Sequence, residues 1–146
     1  MKKIKTIDAV RKFFLECPYI DKNSKLCVDF LSNNKVDYSI EPVPIKRKTE
    51  EYIDGGYQEQ FVFNLVCRFD WNDEVINNIE NSSFFETMCD WLDECTDNDV
   101  LPKLDDNYTP ISIEALTSGY LFDVASDYKT ARYQIQCRFL FEKEVD

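Results

Sequence analysis

Gln58-Glu59-Gln60-Phe61-Val62-Phe63-Asn64-Leu65-Val66-Cys67-Arg68-Phe69 alternates in character residue by residue. Phe61, Phe63, Leu65, Cys67 and Phe69 fall on one face, and Gln60, Val62, Asn64, Val66 and Arg68 on the other. Successive side chains of a strand point to opposite faces, so the run predicts a long strand with one apolar side. The end of the chain repeats the pattern from Thr130 to Glu142. There Ala131, Tyr133, Ile135, Cys137, Phe139 and Phe141 are apolar, and Arg132, Gln134, Gln136 and Arg138 are polar. Two long ribbons of this kind imply antiparallel pairing with one covered face.

Outward from these ribbons, Val36–Glu41 alternates over a shorter span and meets Pro42 and Pro44, which end the strand or confine it to a sheet edge. Leu26–Leu31 reads as a short strand, and Asp54-Gly55-Gly56 as a turn. A further strand is expected from Ile111 to Ser118, with Gly119–Asp123 leading to a polar connection at Ser126–Lys129. Residues 6–16 carry Ile7, Val10 and Phe14 on one helical face, with Thr6 as N-cap and Pro18 as stop. Between the ribbons two helices are expected. The first runs from Glu74 to Asn81. The second spans about 83–96, opening on the capping box Ser83-Phe84-Phe85-Glu86 and carrying Phe84, Met88, Trp91, Leu92 and Cys95 as a stripe. Polar residues 97–110 read as a loop. The order predicts one α+β domain over residues 1–146, a mainly antiparallel sheet with helices packed on one face.

Composition narrows the function classes. The chain has 146 residues, 44% of them hydrophobic and 14% aromatic, enough to fill one core. Seventeen Lys and Arg against twenty-eight Asp and Glu give a net charge of −11. Duplex DNA and anionic lipid are gripped mainly by cations, so neither is an expected ligand. The chain contains no histidine, which removes His-dependent triads and most catalytic zinc sites. The six cysteines show no CxxC spacing; four lie in apolar stretches and read as reduced core residues, as in a protein folded in the cytosol. No signal peptide or membrane span is expected, because Asp8, Arg11 and Lys12 break the first apolar stretch.

No motif for catalysis or for a cofactor stands out. Asp97-Asn98-Asp99 starts like a calcium loop, but Pro102 and Tyr108 occupy the positions that need Gly and Glu. The three glycines cannot build a phosphate loop, and no cysteine has a histidine to activate it. Neither an enzyme nor a metal or cofactor site is expected. Two groups remain as candidates for protein contact. Arg68, Arg132, Gln134, Gln136 and Arg138, on the polar faces of the two ribbons, form a candidate subunit interface or a hydrated sheet face. Lys46-Arg47-Lys48, the one dense basic cluster, is a candidate partner-contact loop or a hydrated turn.

Several ordered segments are similar to one viral family. Gly119-Tyr120-Leu121-Phe122-Asp123 followed by Ala131-Arg132-Tyr133-Gln134-Ile135-Gln136-Cys137-Arg138 resembles the C-terminal signature of the minor capsid proteins regarded as tail terminators in tailed phages of Gram-positive bacteria. Asn81–Glu86 with Trp91-Leu92 resembles the central helix of that family, and Tyr38–Pro44 its early strand. The step Tyr52-Ile53-Asp54-Gly55 and the Phe61 strand follow in the same order, so the resemblance covers about residues 35–142. The connection Val124–Thr130 departs from it by being longer. The resemblance implies a structural subunit of the virion neck, made in the host cytoplasm, that caps the tail tube and ends its growth. Its partners would be copies of itself in a ring, commonly a hexamer, the tail tube protein and the head stopper or connector protein. DNA would pass through the ring without specific binding. Alternatives are a head-side connector or stopper, or an acidic host-directed binding module.

Overall fold

The computed structural model describes residues 3–21, 24–29, 37–71 and 74–145. In chain order these form α1 (Thr6–Leu15), β1 (Leu26–Val28), β2 (Asp37–Pro42), β3 (Lys48–Glu51), β4 (Tyr57–Asp70), α2 (Val75–Asp97), β5 (Tyr108–Ala115), β6 (Tyr120–Val124) and β7 (Thr130–Lys143). The fold is α+β, with two helices and one mixed seven-stranded sheet among the described residues.

The two long alternating runs are the centre of that sheet. β4 and β7 pair antiparallel without a break, from Tyr57 opposite Lys143 to Asp70 opposite Thr130. β2 and β3 follow one another along the free side of β4, and β5 and β6 along the free side of β7. β1 joins β2 in the one parallel pairing among the described residues. Each outer lane is therefore one interrupted strand, and β3, β5 and β6 each carry a bulge, at Thr49, Ile111 and Phe122. A bulge bends and twists its strand and leaves one residue out of the ladder. Pro110 removes a further donor from β5.

The apolar face of β4 and β7 is the core. Phe63, Leu65, Cys67, Tyr133, Ile135, Cys137, Phe139 and Phe141 are all buried, together with Val10, Phe13 and Phe14 of α1 and Phe85, Met88 and Leu92 of α2. Aromatic rings join the elements. Phe14 stands edge-on to Phe63 with centroids 5.8 Å apart, Phe13 lies 4.9 Å from Trp91, and Phe84 lies 5.2 Å from Phe69. Such offset and edge contacts are favoured by the ring quadrupole, and each adds about 0.5–1.5 kcal/mol beyond area burial.

Where two helices are expected between the ribbons, α2 is continuous over 23 residues. No Gly or Pro interrupts residues 75–97. Ser83 does not cap a new helix: its Oγ donates back to the Glu80 carbonyl at 3.0 Å, a bond that leaves the helix intact. Asn77 and Asn81 spend their side-chain amides on the Asp70 carbonyl, at 3.2 and 2.8 Å, tying the helix to the end of β4. The helix stops where Asp99 takes a left-handed conformation (φ 58°) and the Val100 amide donates to the Cys95 carbonyl. At α1 the cap residue is Lys5, and Thr6 is already helical. β3 arises where a polar loop is expected, β5 starts at Tyr108 instead of Ile111, and Gly119–Asp123 contributes a strand of its own. The expected strand at Leu26–Leu31 is seen over Leu26–Val28, and residues 30–36 lie outside the described ones.

One contact seals the β5 edge. Thr96 Oγ1 donates to the Ile113 carbonyl at 2.7 Å and accepts from the Ile113 amide at 3.0 Å. A single hydroxyl of α2 thus satisfies both backbone groups of a residue whose outer side has no neighbouring strand among the described residues.

Candidate functional site: interaction surfaces

The pairing register brings the polar-face candidates together. Arg68 of β4 lies directly opposite Arg132 of β7, and Gln134, Gln136 and Arg138 follow on alternate positions of the same face, opposite Val66, Asn64 and Val62. Two like charges facing each other across a strand pair repel. Arg132 is drawn instead to Glu41 of β2, its Nη2 lying 3.0 and 3.1 Å from the two carboxylate oxygens. Its guanidinium also covers the Phe122 ring at 4.8 Å. Gln134 is buried and donates to the Tyr120 hydroxyl at 2.5 Å, while Arg138 pairs with Glu114 at 2.6 Å. Arg132, Gln134 and Arg138 therefore hold neighbouring strands of their own sheet. The exposed part of this region is apolar: Tyr120, Leu121 and Phe122 of β6 are all close to half exposed. Sequence reasoning passed over these three because a five-residue strand with a bulge shows no sustained alternation.

The basic cluster lies on the opposite outer lane, with Lys46 and Arg47 in the link between β2 and β3 and Lys48 opening β3. The link is fastened to β4: the Val43 amide donates to the Val62 carbonyl, the Gln60 amide to Arg47, and the Gln60 side chain to Lys46. Ile45, Lys46 and Arg47 are exposed beyond these anchors. Arg47 stands 3.7 Å from the buried carboxylate of Glu59, and Lys48 pairs with Glu51 at 3.5 Å and lies over the Tyr57 ring at 4.4 Å.

A third surface gave no motif. A groove of about 620 Å³ runs between α2 and the bend joining β5 to β6, lined by Ile79, Phe85, Glu86, Cys89, Asp90 and Gly119 among others. Within its lining Gly119 packs directly against the Phe85 ring, which a Cβ there would overlap. Its walls are mainly apolar and its rim is acidic. α2 carries Glu80, Glu86, Asp90, Asp93, Glu94 and Asp97 and no Lys or Arg. Among the described residues no ion pair reaches these carboxylates. Glu86/Asp90, Asp90/Glu94 and Asp93/Asp97 are like charges one turn apart, and the last three acids crowd the negative end of the helix dipole. Burial, then Asp93 and Asp90, pushes the Cys89 thiol above its usual range.

All six cysteines are free; Cys17, Cys67, Cys95 and Cys137 are buried, and Cys27 and Cys89 are half-buried. No cluster of three or more His, Cys, Asp or Glu suited to a metal ion occurs among the described residues. No helix among them is long and apolar enough to cross a membrane. No protein-family model matches the chain, and no curated protein matches it significantly.

Proposed function

We propose that the chain is a structural subunit of a tailed-phage neck, a tail terminator that caps the tail tube, ends its elongation and joins the tail to the head connector. Support comes from where the resembling segments meet. Asn81–Glu86 is far in sequence from Gly119–Asp123 and Ala131–Arg138, yet Phe85 abuts Gly119 and lies 6.1 Å from Tyr133. Phe84, next to it, lies 6.1 Å from Tyr38 of the early-strand segment. Residues of the resembling segments thus share one core, an arrangement consistent with the reading. The finer fold follows the same lines. Phe14 and Phe85 both reach apolar-face residues of β4 and β7, contacts that support helices packed on one face of the sheet, with the Arg132 face open to other chains in this reading.

In this role the chain works by shape. A stiff pair of central strands holds the outer lanes, copies of the chain close a ring, and acidic surfaces around its opening let DNA pass without adhering. Deleting the gene from its phage and imaging the lysate tests the role: overlong tails, or heads and tails that fail to join, are expected. Normal infectious particles would overturn it. A head-side connector would instead copurify with tail-less heads. The unbroken acidity of α2 favours one further reading, an acidic module that binds a host protein; tight one-to-one capture of a host enzyme would point that way.

A further inference from the structure

The groove beside α2 and the basic link between β2 and β3 are complementary in charge, and each carries an exposed isoleucine. The groove offers the exposed side chain of Ile79, above the buried Phe85, and carboxylates at Glu86 and Asp90. The link offers Ile45, 50% exposed, followed at once by Lys46 and Arg47. An isoleucine with the stem of a lysine fits a space of about 620 Å³. Pro42 and Pro44 limit the link's freedom, and three hydrogen bonds to β4 hold it, so little entropy is lost when it docks. A cation at the groove rim would also relieve the like-charge crowding along α2.

The two surfaces cannot meet within one chain. The link lies on the β2–β3 lane and the groove on the β5–β6 lane, at opposite sides of the sheet with β4 and β7 between them. We infer that a second copy of this chain supplies the missing half: Ile45 of one copy packs against Ile79 in the groove of the next, with Lys46 facing Glu86 and Asp90. Different surfaces meet at this contact, so it is heterologous, and every copy keeps one donor and one acceptor surface free for the next. Repetition either closes a ring or continues as an open chain. The inference deepens the proposed ring-forming role and rests on it for its biological setting.

The test is disulfide trapping in the full chain. Ile45→Cys places a thiol on the link, and Cys89 already lines the groove. Oxidation of concentrated protein with diamide should give a ladder of dimers and higher multimers, with mass spectrometry joining the introduced thiol to Cys89. Adding Cys89→Ser should abolish the ladder. Adding Glu86→Lys and Asp90→Lys should lower the cross-linked fraction by about tenfold. Mixing an Ile45→Cys/Lys46→Glu chain with a Glu86→Lys/Asp90→Lys chain should restore linkage between unlike chains only. Lys46 is chosen over Arg47 because a carboxylate in place of Arg47 would face the buried Glu59. No ladder, links between two introduced thiols, or links insensitive to charge reversal would overturn the contact. Should trapping fail while deletion still gives overlong tails, this surface is wrong and the terminator role stands. Should trapping succeed while deletion leaves normal particles, the contact stands and the role is wrong.

Discussion

Arg132 of β7 reaches past β4 to Glu41 of β2, one guanidinium nitrogen contacting both carboxylate oxygens at 3.0 and 3.1 Å. The bond ties three strands on the face turned away from the core, and it draws Arg132 off the facing Arg68. Both side chains are about a third exposed or less (31% and 25%), so water screens the pair only partly. Arg132→Ala is expected to lower stability by about 1 kcal/mol, and a cycle with Glu41→Gln should show coupling of roughly half that or more. Urea unfolding of the four proteins measures it; independent effects would mean the pair contributes nothing.

Gly119 is required by packing and not by its backbone angle. Its position against Phe85 leaves no room for a methyl group. Gly119→Ala should cost about 1–3 kcal/mol through forced displacement of the Phe85 ring. Combining it with Phe85→Leu should cost less than the sum of the two single changes. A melting temperature unmoved by Gly119→Ala would show that the ring has space to shift.

Thr96 serves both backbone groups of Ile113 with one hydroxyl. Thr96→Val keeps the shape and removes both bonds, so a loss of roughly 1–3 kcal/mol is expected, whereas Thr96→Ser should stay close to wild type. Amide exchange at Ile113 should quicken in the Val variant. An equal loss in the Ser variant would point to the methyl group instead.

Alkaline pH should unfold the protein early. Burial pushes the Cys67 and Cys137 thiols well above the usual 9.0, and pushes the Tyr38 phenol from 10.0 up to about 12. The folded chain keeps these protons while the unfolded chain releases them. The stabilisation is therefore complete below pH 9.0, and it declines as pH rises past 9.0 for the thiols and past 10.0 for Tyr38. Urea titrations from about pH 8 to pH 11 should show this decline, and Cys67→Ala with Cys137→Ala should flatten its first part. A flat profile in wild type would show that these groups ionise freely in the folded state.

The central strands were legible because alternation sustained from Phe61 to Phe69 is long enough to exclude a helix, and the matching run from Ala131 to Phe141 identified its partner. The outer lanes were not. β3 is four residues of Lys, Thr and Glu, and its place is set by pairing to β4, which no local pattern reports. The Ser83-to-Glu86 box misled because a capping pattern within a strong helical stretch carries no information on whether the helix has already begun; here Val75 starts it. The polar-face arginines were placed correctly on one face by period alone, but their commitment to Glu41 and Glu114 depends on strands that register, not spacing, brings alongside. The groove was invisible because its lining joins α2 to the bend at Ser118 and Gly119, a meeting that no local pattern reports.

The outer lanes of this sheet are guarded at several points: bulges at Thr49, Ile111 and Phe122, a proline at position 110, and the Thr96 hydroxyl over Ile113. Each spoils the straight row of free amides and carbonyls that a foreign strand needs for zipping on. Concentrated solutions should consequently stay clear of fibrils even though two 14-residue β-rich segments lie at the heart of the molecule. Crowded copies are thereby steered away from edge-to-edge pairing and toward contacts made by side chains.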